Sequence, residues 1–276
     1  IYNMLNILFL FILLSYGYAT YDQDLAKTAV NISQSAYCMS PDSNWNCKTC
    51  DSDNIYEGSI VKNGEQVIFG YNTLYDVLFV GFRGSSNIEN WISNLHVKLI
   101  HPYSTDTDIG VEKGFYDLHD SIKEDVYGKL DTLIDKYNTK NILATGHSLG
   151  AAIATLFSFD ILYERNNYNI NYLITFGSPR VGNEEFITKF NSYSIYSNRI
   201  THYYDIVPHV PEEKLHYRHI SQEIWYNEEN TNYVVCNDTD NEEDDSCSNS
   251  CAPVRCTSTS DHTNYLNITM GNDGMC

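Results

Sequence analysis

Apolar residues recur along this chain with two spacings, one typical of helices and one typical of strands. Intervals of three and four residues predict amphipathic helices over residues 23–37 and within 112–137. Short apolar runs predict strands over 65–71 and 76–82, separated by a short polar turn. The first half of the chain therefore combines helices with strands.

The same two patterns alternate through the second half of the chain. Further strands are predicted at 141–145, 172–176, 199–204 and 217–226. Helices are predicted over 151–163 and from about Asn183 onward. Strands that alternate with helices are typical of a largely parallel sheet covered by helices on both faces. Because the chain contains neither an internal repeat nor a linker rich in proline or glycine, we expect a single α/β domain.

The first nineteen residues form a separate apolar segment. An apolar run over 5–14 is followed by Gly17, Tyr18 and Ala19, which is the pattern of a signal peptide with a cleavage site of small residues. The run is too short to span a bilayer. A membrane anchor remains the alternative, since no Lys or Arg precedes the run. We predict a signal peptide over 1–19, a mature domain over 20–276 and no stable transmembrane anchor.

All eight cysteines follow this segment. An even number of cysteines in an exported chain is typical of disulfides, although Cys47 and Cys50 also have the spacing of a redox or zinc motif. Three candidate glycosylation sites with the pattern Asn-X-Ser/Thr lie at Asn31, Asn237 and Asn267. These features predict a secreted protein, either extracellular or in the lumen of a secretory or digestive compartment.

The charge of the chain excludes one class of function. Seventeen Lys and Arg residues against 36 Asp and Glu residues give a formal net charge of −19, whereas nucleic-acid binding needs clustered basic residues. Six of the carboxylates fall within 238–245, where we expect a solvated loop. The hydrophobic content of 42% is sufficient for a sizeable core. We therefore expect a folded, acidic monomer that does not bind nucleic acid.

One short turn has the pattern of a catalytic nucleophile. Residues 146–150 read Gly-His-Ser-Leu-Gly, which fits G-x-S-x-G between a predicted strand and a predicted helix. Such a turn lifts the serine hydroxyl clear of the sheet and points the helix N-terminus at developing negative charge. A serine that only caps the helix is the alternative. The strand before the motif and the helix after it favour Ser148 as a nucleophile.

A nucleophilic serine needs a histidine base, and the base needs an orienting carboxylate. In this kind of fold the chain order is serine, acid, histidine. Asp205 directly follows a predicted strand, at the edge of the sheet where such folds place their sites. His262 lies in a late loop, whereas the other eight histidines precede Ser148, adjoin it or lie too close to Asp205. Elimination therefore favours Asp205 and His262.

Several sequence blocks occur in the order of a known family. They lie at 80–85 (VGFRGS), 146–150 (GHSLG), 175–183 (TFGSPRVGN) and 205–208 (DIVP), and Asp261-His262 with Tyr265-Leu266 forms a C-terminal block. On these blocks the chain resembles the fungal lipase-like (class 3) lipases of the α/β-hydrolase superfamily, over essentially the whole mature chain. The resemblance implies the α/β-hydrolase fold, in which a mostly parallel sheet is covered by helices on both faces, with a short helical lid.

The resemblance also implies roles for individual residues. It implies the triad Ser148, Asp205 and His262, which is the assignment reached by elimination, and an oxyanion hole formed by Ser85 and the backbone N–H of Leu149. It implies disulfides for the pairs Cys38–Cys276 and Cys47–Cys50, with Cys236–Cys247 as the third and Cys251–Cys256 left as a fourth. The last two pairs could exchange partners. A fourth bridge departs from the family's commoner three.

The segment after Ser85 has the pattern of a short amphipathic helix. Ile88, Trp91, Ile92 and Leu95 fall on one helical face, which in isolation is more typical of a helix packed on the core. In the resembling lipases, however, a mobile lid follows the oxyanion residue. We therefore interpret these four residues as the apolar face of a lid that covers the site in water and opens at a lipid surface.

Together these features predict a secreted serine ester hydrolase that cleaves acylglycerols, in particular triacylglycerols, at a lipid–water interface. The mechanism passes through an acyl-enzyme and needs no metal or organic cofactor. The expected partners are the lipid or ester substrate and the interface itself. A feruloyl esterase or a phospholipase A1 could share the same framework. A catalytically silent lipid-binding relative and a secreted serine peptidase are the alternatives from other functional classes.

Overall fold

The structure, a computed structural model, describes residues 20–39, 44–95, 97–164, 167–238, 242–252, 254–271 and 276. The predicted signal peptide over 1–19 and part of the acidic segment, residues 239–241, lie outside the described residues. In the described part of the chain, no helix combines the length and the apolar character needed to cross a membrane.

The described elements alternate as an α/β domain. The strands are β1 (Asn54–Lys62), β2 (Glu65–Asn72), β3 (Val77–Phe82), β4 (Leu99–Ile100), β5 (Val111–Glu112), β6 (Asn141–His147), β7 (Asn169–Phe176), β8 (Tyr196–His202), β9 (Glu223–Tyr226), β10 (Tyr233–Val235), β11 (Asn264–Tyr265) and β12 (Ile268–Thr269). The α-helices are α1 (Gln23–Cys38), α2 (Ile88–Ser93), α3 (Lys113–Tyr137), α4 (Leu149–Glu164), α5 (Glu184–Asn191) and α6 (Thr259–His262). Short 3₁₀ turns cover Val207–His209, Glu213–Leu215 and Ser248–Cys251.

Eight of the strands form one central sheet in the order β1-β2-β3-β6-β7-β8-β9-β10. The five strands β3, β6, β7, β8 and β9 pair in parallel, and the pairs β1–β2, β2–β3 and β9–β10 are antiparallel. Parallel neighbours place their carboxyl ends at one edge of the sheet, and in such folds that edge carries the site. The predicted, mostly parallel sheet is confirmed.

Helices cover both faces of the sheet. On one face, α3, α4 and α5 pack their apolar side chains against the sheet, as Leu130, Phe157 and Phe186 illustrate. On the other face, α1 packs Leu25 and Ile32 against strand residues. Each parallel strand is therefore buried on both sides, which explains why these strands appear in the sequence as continuous apolar runs.

Local capping fixes where the long helices begin. The Asp22 carboxylate accepts the N–H groups of Asp24 and Leu25, both at 3.0 Å, and so caps α1. The Glu112 carboxylate caps α3 by accepting the N–H of Phe115 at 2.8 Å. Such side chains satisfy N–H groups that have no partner inside the helix.

Most of the predicted elements are confirmed. Three of the differences concern strands β8 and β9 and the edge strand β1. The predicted strand over 199–204 ends at His202, because Tyr203 has a positive φ of 37° and turns the chain. The predicted strand over 217–226 is wrong in its first part, since β9 begins at Glu223. Strand β1 was not predicted, because its mostly half-buried and exposed residues give no clear apolar pattern.

Four disulfides use all eight cysteines. They join Cys38 to Cys276, Cys47 to Cys50, Cys236 to Cys247 and Cys251 to Cys256, the same pairs that the resemblance implies. The first bridge connects the end of α1 to the last residue of the chain. With both sulfurs bonded, Cys47 and Cys50 offer no thiolate to a metal.

The described residues of the acidic segment over 238–245 are not all solvated, contrary to the prediction from composition. The buried Glu243 carboxylate accepts two hydrogen bonds from Arg180, both at 2.7 Å. The Asp238 side chain is only 4% exposed and accepts the N–H of Glu223 at 2.7 Å. A guanidinium held inside the fold needs a carboxylate to compensate for its lost hydration. The segment therefore supplies counter-charges to the interior.

Candidate active site

Ser148 occupies a strained turn between β6 and α4. Its φ of 59° lies in the left-handed region, which a residue with a side chain rarely adopts. The two flanking glycines are required by space: a Cβ on Gly146 would lie 2.4 Å from the carbonyl oxygen of Gly150, and a Cβ on Gly150 would lie 2.2 Å from that of Phe82. The G-x-S-x-G spacing thus follows from steric constraints on the turn.

Asp205 and His262 form a buried pair at the same edge of the sheet. His262 Nδ1 donates to Asp205 Oδ2 at 2.8 Å, and both side chains are at most 1% exposed. The other carboxylate oxygen accepts the N–H of Val207 at 2.8 Å. Because Nδ1 carries the proton, the lone pair of His262 is on Nε2, where a general base needs it.

Among the residues that the structure describes, two atoms of this site have no hydrogen-bond partner. They are Ser148 Oγ and His262 Nε2, and both are buried. Buried polar atoms are usually paired, and exceptions cluster at functional sites. The hydroxyl and the base nitrogen are therefore both unengaged, which leaves them available for chemistry with a substrate.

Tyr265 adds a contact that the sequence analysis did not assign. Its hydroxyl donates to Asp205 Oδ2, the oxygen that also binds His262. Burial and the Asp205 carboxylate raise the pKa of Tyr265, so this group stays protonated and acts as a donor. The only sequence signal for it was its place in the C-terminal block, three residues after His262.

His262 is the last residue of helix α6, where the sequence predicted a loop, and His147 supports this end of the helix. His147 Nε2 donates to the backbone oxygen of His262 at 2.7 Å, and its Nδ1 accepts the hydroxyl of Tyr37 at 2.8 Å. The two imidazole rings pack with their centroids 4.5 Å apart. Burial and the neighbouring His262 lower the pKa of His147 well below its ordinary value. A neutral, doubly hydrogen-bonded ring therefore holds the end of α6 in place.

The implied oxyanion residues lie beside the nucleophile turn. Ser85 follows Gly84, and a Cβ on Gly84 would be 3.2 Å from Ser148 Cβ. Leu149 is the first residue of α4, where a backbone N–H has no acceptor within the helix. Both residues line one cavity of about 450 Å³. In the present arrangement Ser85 Oγ donates to the backbone oxygen of Asn87 at 3.1 Å.

The segment interpreted as a lid forms helix α2 beside the cavity. None of Ile88, Trp91, Ile92 and Leu95 is fully buried. Trp91 and Leu95 face the cavity, and the Trp91 ring stacks on Phe115 with centroids 6.2 Å apart. Among the described residues that line the cavity, neither isoleucine appears. Leu95 lies beyond the helix, which ends at Ser93.

The polar clusters elsewhere do not supply free metal-binding cysteines. Two groups have suitable spacing for an ion, namely His209 with Cys251 and Cys256, and Glu223 with Cys236 and Cys247. Their four cysteines are all in disulfides.

Of the predicted glycosylation sites, Asn237 and Asn267 are exposed, whereas Asn31 is half-buried on α1.

Comparisons with known proteins show the family to which this chain is related. Residues 79–215 match the family described as Lipase (class 3). The lipase of Rhizomucor miehei is 32% identical over 259 residues, which cover 89% of this chain and 68% of that protein. The lipase of Rhizopus niveus is 31% identical over 266 residues, which cover 92% of this chain and 65% of that protein. The chain thus spans about two thirds of the length of these relatives.

Solved structures share the whole fold. Lipase II from Rhizopus niveus superposes with a TM-score of 0.82 at 27% identity, over 90% of this chain and 96% of that one. A triacylglycerol lipase whose catalytic centre is formed by a serine protease triad superposes with a TM-score of 0.81 at 28% identity, over 92% of this chain and 97% of that one. The expected α/β-hydrolase fold is confirmed.

Proposed function

Because this chain belongs to the class 3 lipases, a family of carboxylic ester hydrolases, we propose that it hydrolyses acylglycerol esters at a lipid–water interface. The observation that carries the proposal is the buried Asp205–His262 pair at the sheet edge where Ser148 occupies its strained turn. The structurally similar triacylglycerol lipase, whose catalytic centre is formed by a serine protease triad, supports the same reaction class.

The proposed mechanism assigns one step to each residue. Ser148 Oγ attacks the ester carbonyl while His262 Nε2 takes its proton, and Asp205 stabilises the imidazolium through Nδ1. His262 then protonates the departing glycerol oxygen, which leaves an acyl-enzyme. A water molecule, deprotonated by His262, attacks the acyl carbon, and the serine is released with its proton restored. No step requires a metal or an organic cofactor.

The developing oxyanion is stabilised by the Leu149 N–H and by Ser85. A single preorganised donor of this kind is worth about 3–4 kcal/mol of transition-state stabilisation. For Ser85 to contribute, its hydroxyl must leave the backbone oxygen of Asn87 and turn toward the substrate. Because Asn87 precedes α2, a displacement of that helix at an interface would release Ser85 at the same time. Lid opening and oxyanion-hole assembly are thus coupled in this proposal.

We also propose that the protein is exported after removal of residues 1–19 and acts as a monomer. Four disulfides support export, since such bonds persist in oxidising compartments. The segment over 1–19 has the composition of a signal peptide. Edman sequencing of the secreted protein tests this proposal, and an N-terminus at Thr20 is the expected result.

A substrate panel tests the activity. Triolein emulsion, phosphatidylcholine vesicles, methyl ferulate and a peptide ester are compared, with Ser148→Ala as the matched inactive variant. We expect hydrolysis of triolein to exceed that of the other three substrates and to disappear in Ser148→Ala. Fluorophosphonate labelling of Ser148 is also expected, and a silent relative would not react. Full activity in Ser148→Ala would overturn the mechanism, and a clear preference for methyl ferulate would overturn the substrate.

A further inference from the structure

A buried histidine that the proposed mechanism does not use lies beside the base. His202 is the last residue of β8, three positions before Asp205, and is 2% exposed. Elimination set it aside as too close to Asp205 in the chain. Its Nδ1 lies 2.9 Å from the backbone oxygen of Asp261, the residue directly before His262. The ring of His202 therefore contacts the short helix α6 that ends at the base.

The partners of the other ring nitrogen indicate where the proton of His202 is. Nε2 lies 2.9 Å from the amide nitrogen of Asn230 and 3.1 Å from the backbone oxygen of Glu228. The Asn230 amide has a fixed orientation, because its oxygen accepts the N–H of Leu266 at 3.0 Å and its NH₂ group faces the ring. An NH₂ group donates, so Nε2 accepts and Nδ1 carries the proton. A second proton on Nε2 would engage Glu228 as well, and Nδ1 donates to the Asp261 carbonyl in both cases.

Two buried imidazoles thus bind consecutive carbonyls at the end of α6. The last carbonyls of a helix have no partner inside it, and α6 has only four residues, too few to be stable alone. His202 donates to the oxygen of Asp261 at 2.9 Å, and His147 donates to that of His262 at 2.7 Å. The cap N–H of Thr263 also approaches the Asp261 oxygen, but it belongs to the same short turn. The two histidines therefore hold the peptide of the base from outside the helix.

His202 also contacts the tyrosine that binds the acid. The ring centroids of His202 and Tyr265 lie 5.9 Å apart, and the ring planes meet at 66°. The Tyr265 hydroxyl donates to Asp205 Oδ2, which also accepts His262 Nδ1. One side chain therefore packs on a partner of the acid and binds the segment that carries the base.

We propose that His202 is a positioning residue, whose Nδ1 proton, donated to the Asp261 carbonyl, sets the orientation of the His262 imidazole. This inference rests on the proposed function, since it concerns the base of that reaction. Among the described residues that line the cavity, His202 does not appear, so it acts through His262 and not on the substrate. A misplacement of about 1 Å at a reacting group is enough to cost about 10²-fold in rate. Loss of the donor is therefore expected to lower kcat and to leave KM unchanged.

Three substitutions of His202 test the role of the donated proton. His202→Leu removes both ring nitrogens and is expected to lower kcat for p-nitrophenyl butyrate by about 10²-fold, with KM within about twofold of wild type. His202→Asn places an amide N–H near the position of Nδ1, so we expect kcat to recover to within about fivefold of wild type. His202→Gln places its amide near the position of Nε2, so we expect kcat at least about fivefold below that of His202→Asn. If His202→Leu does not fold, the comparison of His202→Asn with His202→Gln decides alone.

A double-mutant cycle with the base separates positioning from general support of the fold. The rates of His202→Leu, His262→Ala and the double variant are compared on p-nitrophenyl butyrate, an activated ester that makes the residual rate of a triad variant measurable. Because His202 acts through the His262 ring, its removal is expected to change the residual rate of His262→Ala by less than about twofold. An equal loss in both backgrounds would overturn the inference.

The matched control is His119→Leu, which removes another buried histidine. His119 Nε2 bonds Asp160 Oδ2 at 2.7 Å and joins α3 to α4. This change is expected to lower the midpoint of thermal unfolding and to keep kcat, corrected for the folded fraction, within about twofold of wild type. A loss of kcat equal to that of His202→Leu would overturn the inference, since any buried histidine would then have the same effect.

The outcomes separate this inference from the proposed function. If wild-type protein does not cleave the ester, or if Ser148→Ala keeps the activity, the proposed function fails. If cleavage depends on Ser148 and His262 but His202→Leu keeps the wild-type kcat, the assignment of His202 fails while the proposed function stands. The assignment also fails if His202→Asn is as slow as His202→Leu, because the donated proton is then not the cause.

Discussion

Replacing Gly84 with alanine tests whether the loop before Ser85 is positioned by direct contact with the nucleophile turn. A Cβ at this position would lie 2.1 Å from the hydroxyl oxygen of Tyr37 and 2.4 Å from the backbone oxygen of His147. Real Cβ atoms essentially never approach another heavy atom closer than 3.0 Å. The tyrosine hydroxyl can move, but the His147 carbonyl belongs to the β6 backbone. The Ser85 loop must therefore move by about 0.6 Å, the difference between 3.0 and 2.4 Å.

A displacement of that size separates Ser85 from the position of the oxyanion. Loss of one oxyanion donor lowers kcat by about 10²–10³-fold, and a misplacement of about 1 Å is enough to cost about 10²-fold. We expect Gly84→Ala to lower kcat for p-nitrophenyl butyrate by about 10²-fold with little change in KM. Tyr37→Phe combined with Gly84→Ala relieves the flexible contact but also removes the hydrogen bond to His147 Nδ1, so we expect it to remain at least about tenfold below wild type.

The matched control is Gly128→Ala on the exposed side of α3, where an added Cβ has no atom within 4 Å. This change is expected to leave kcat unaltered and to stabilise the protein by about 0.5–1 kcal/mol, because alanine favours a helix over glycine. Thermal unfolding of both variants separates lost activity from lost fold. A Gly84→Ala protein with kcat within twofold of wild type would refute the reasoning.

Four further predictions follow from individual contacts. Asp205→Asn is expected to lower kcat by about 10⁴-fold with the fold intact, since His262 Nδ1 loses its carboxylate; a tenfold loss or less in steady-state kinetics would contradict this. Arg180→Leu leaves the buried Glu243 carboxylate without its ion-pair partner, so we expect it to lower the free energy of unfolding, measured in urea, by about 3–5 kcal/mol. The control Lys214→Leu, which removes an exposed ion pair, is expected to lower it by less than about 1 kcal/mol. Removing the Cys38–Cys276 bridge, which spans 238 residues, is expected to lower the free energy of unfolding by about 5 kcal/mol. Removing the Cys251–Cys256 bridge, which spans five residues, is expected to lower it by about 2 kcal/mol. Equal losses would argue against chain entropy as the cause. Burial raises the pKa of the Glu65 carboxyl to about 7, although the nearby charge of Arg83 lowers it in part. Between pH 4.5 and pH 7 the folded state therefore keeps a proton that the unfolded state releases. Stability should therefore fall by up to about 3 kcal/mol as the pH rises from 4.5 to 7, and Glu65→Gln should remove that fall in denaturation measured at pH 5 and pH 8.

The contacts behind these predictions differ in how far the sequence reveals them. The turn around Ser148 is a local constraint, because the glycines that it needs are only two positions away on either side. The spacing of those residues therefore predicts both the turn and the nucleophile. Helix α1 and the strand–helix alternation are local in the same sense, since a buried face repeats with the period of the element.

The partners around the triad are not local. Tyr265 and Asp205 are 60 residues apart in the chain, Tyr37 and His147 are 110 apart, and Arg180 and Glu243 are 63 apart. Composition describes residues 238–245 only as acidic, because it contains no record of which guanidinium lies opposite each carboxylate. The orientation of α2 is decided in the same way, by the fit of Trp91 against Phe115.

By itself, therefore, the sequence determined the α/β architecture and the serine turn, since these depend on periodicity and on sterics within a few residues. Only the tertiary structure decided that the Tyr265 hydroxyl donates to Asp205, that His147 supports His262, and that Arg180 pairs with Glu243. The reason is that a side-chain hydrogen bond depends on distances of about 3 Å between elements whose packing no local pattern specifies.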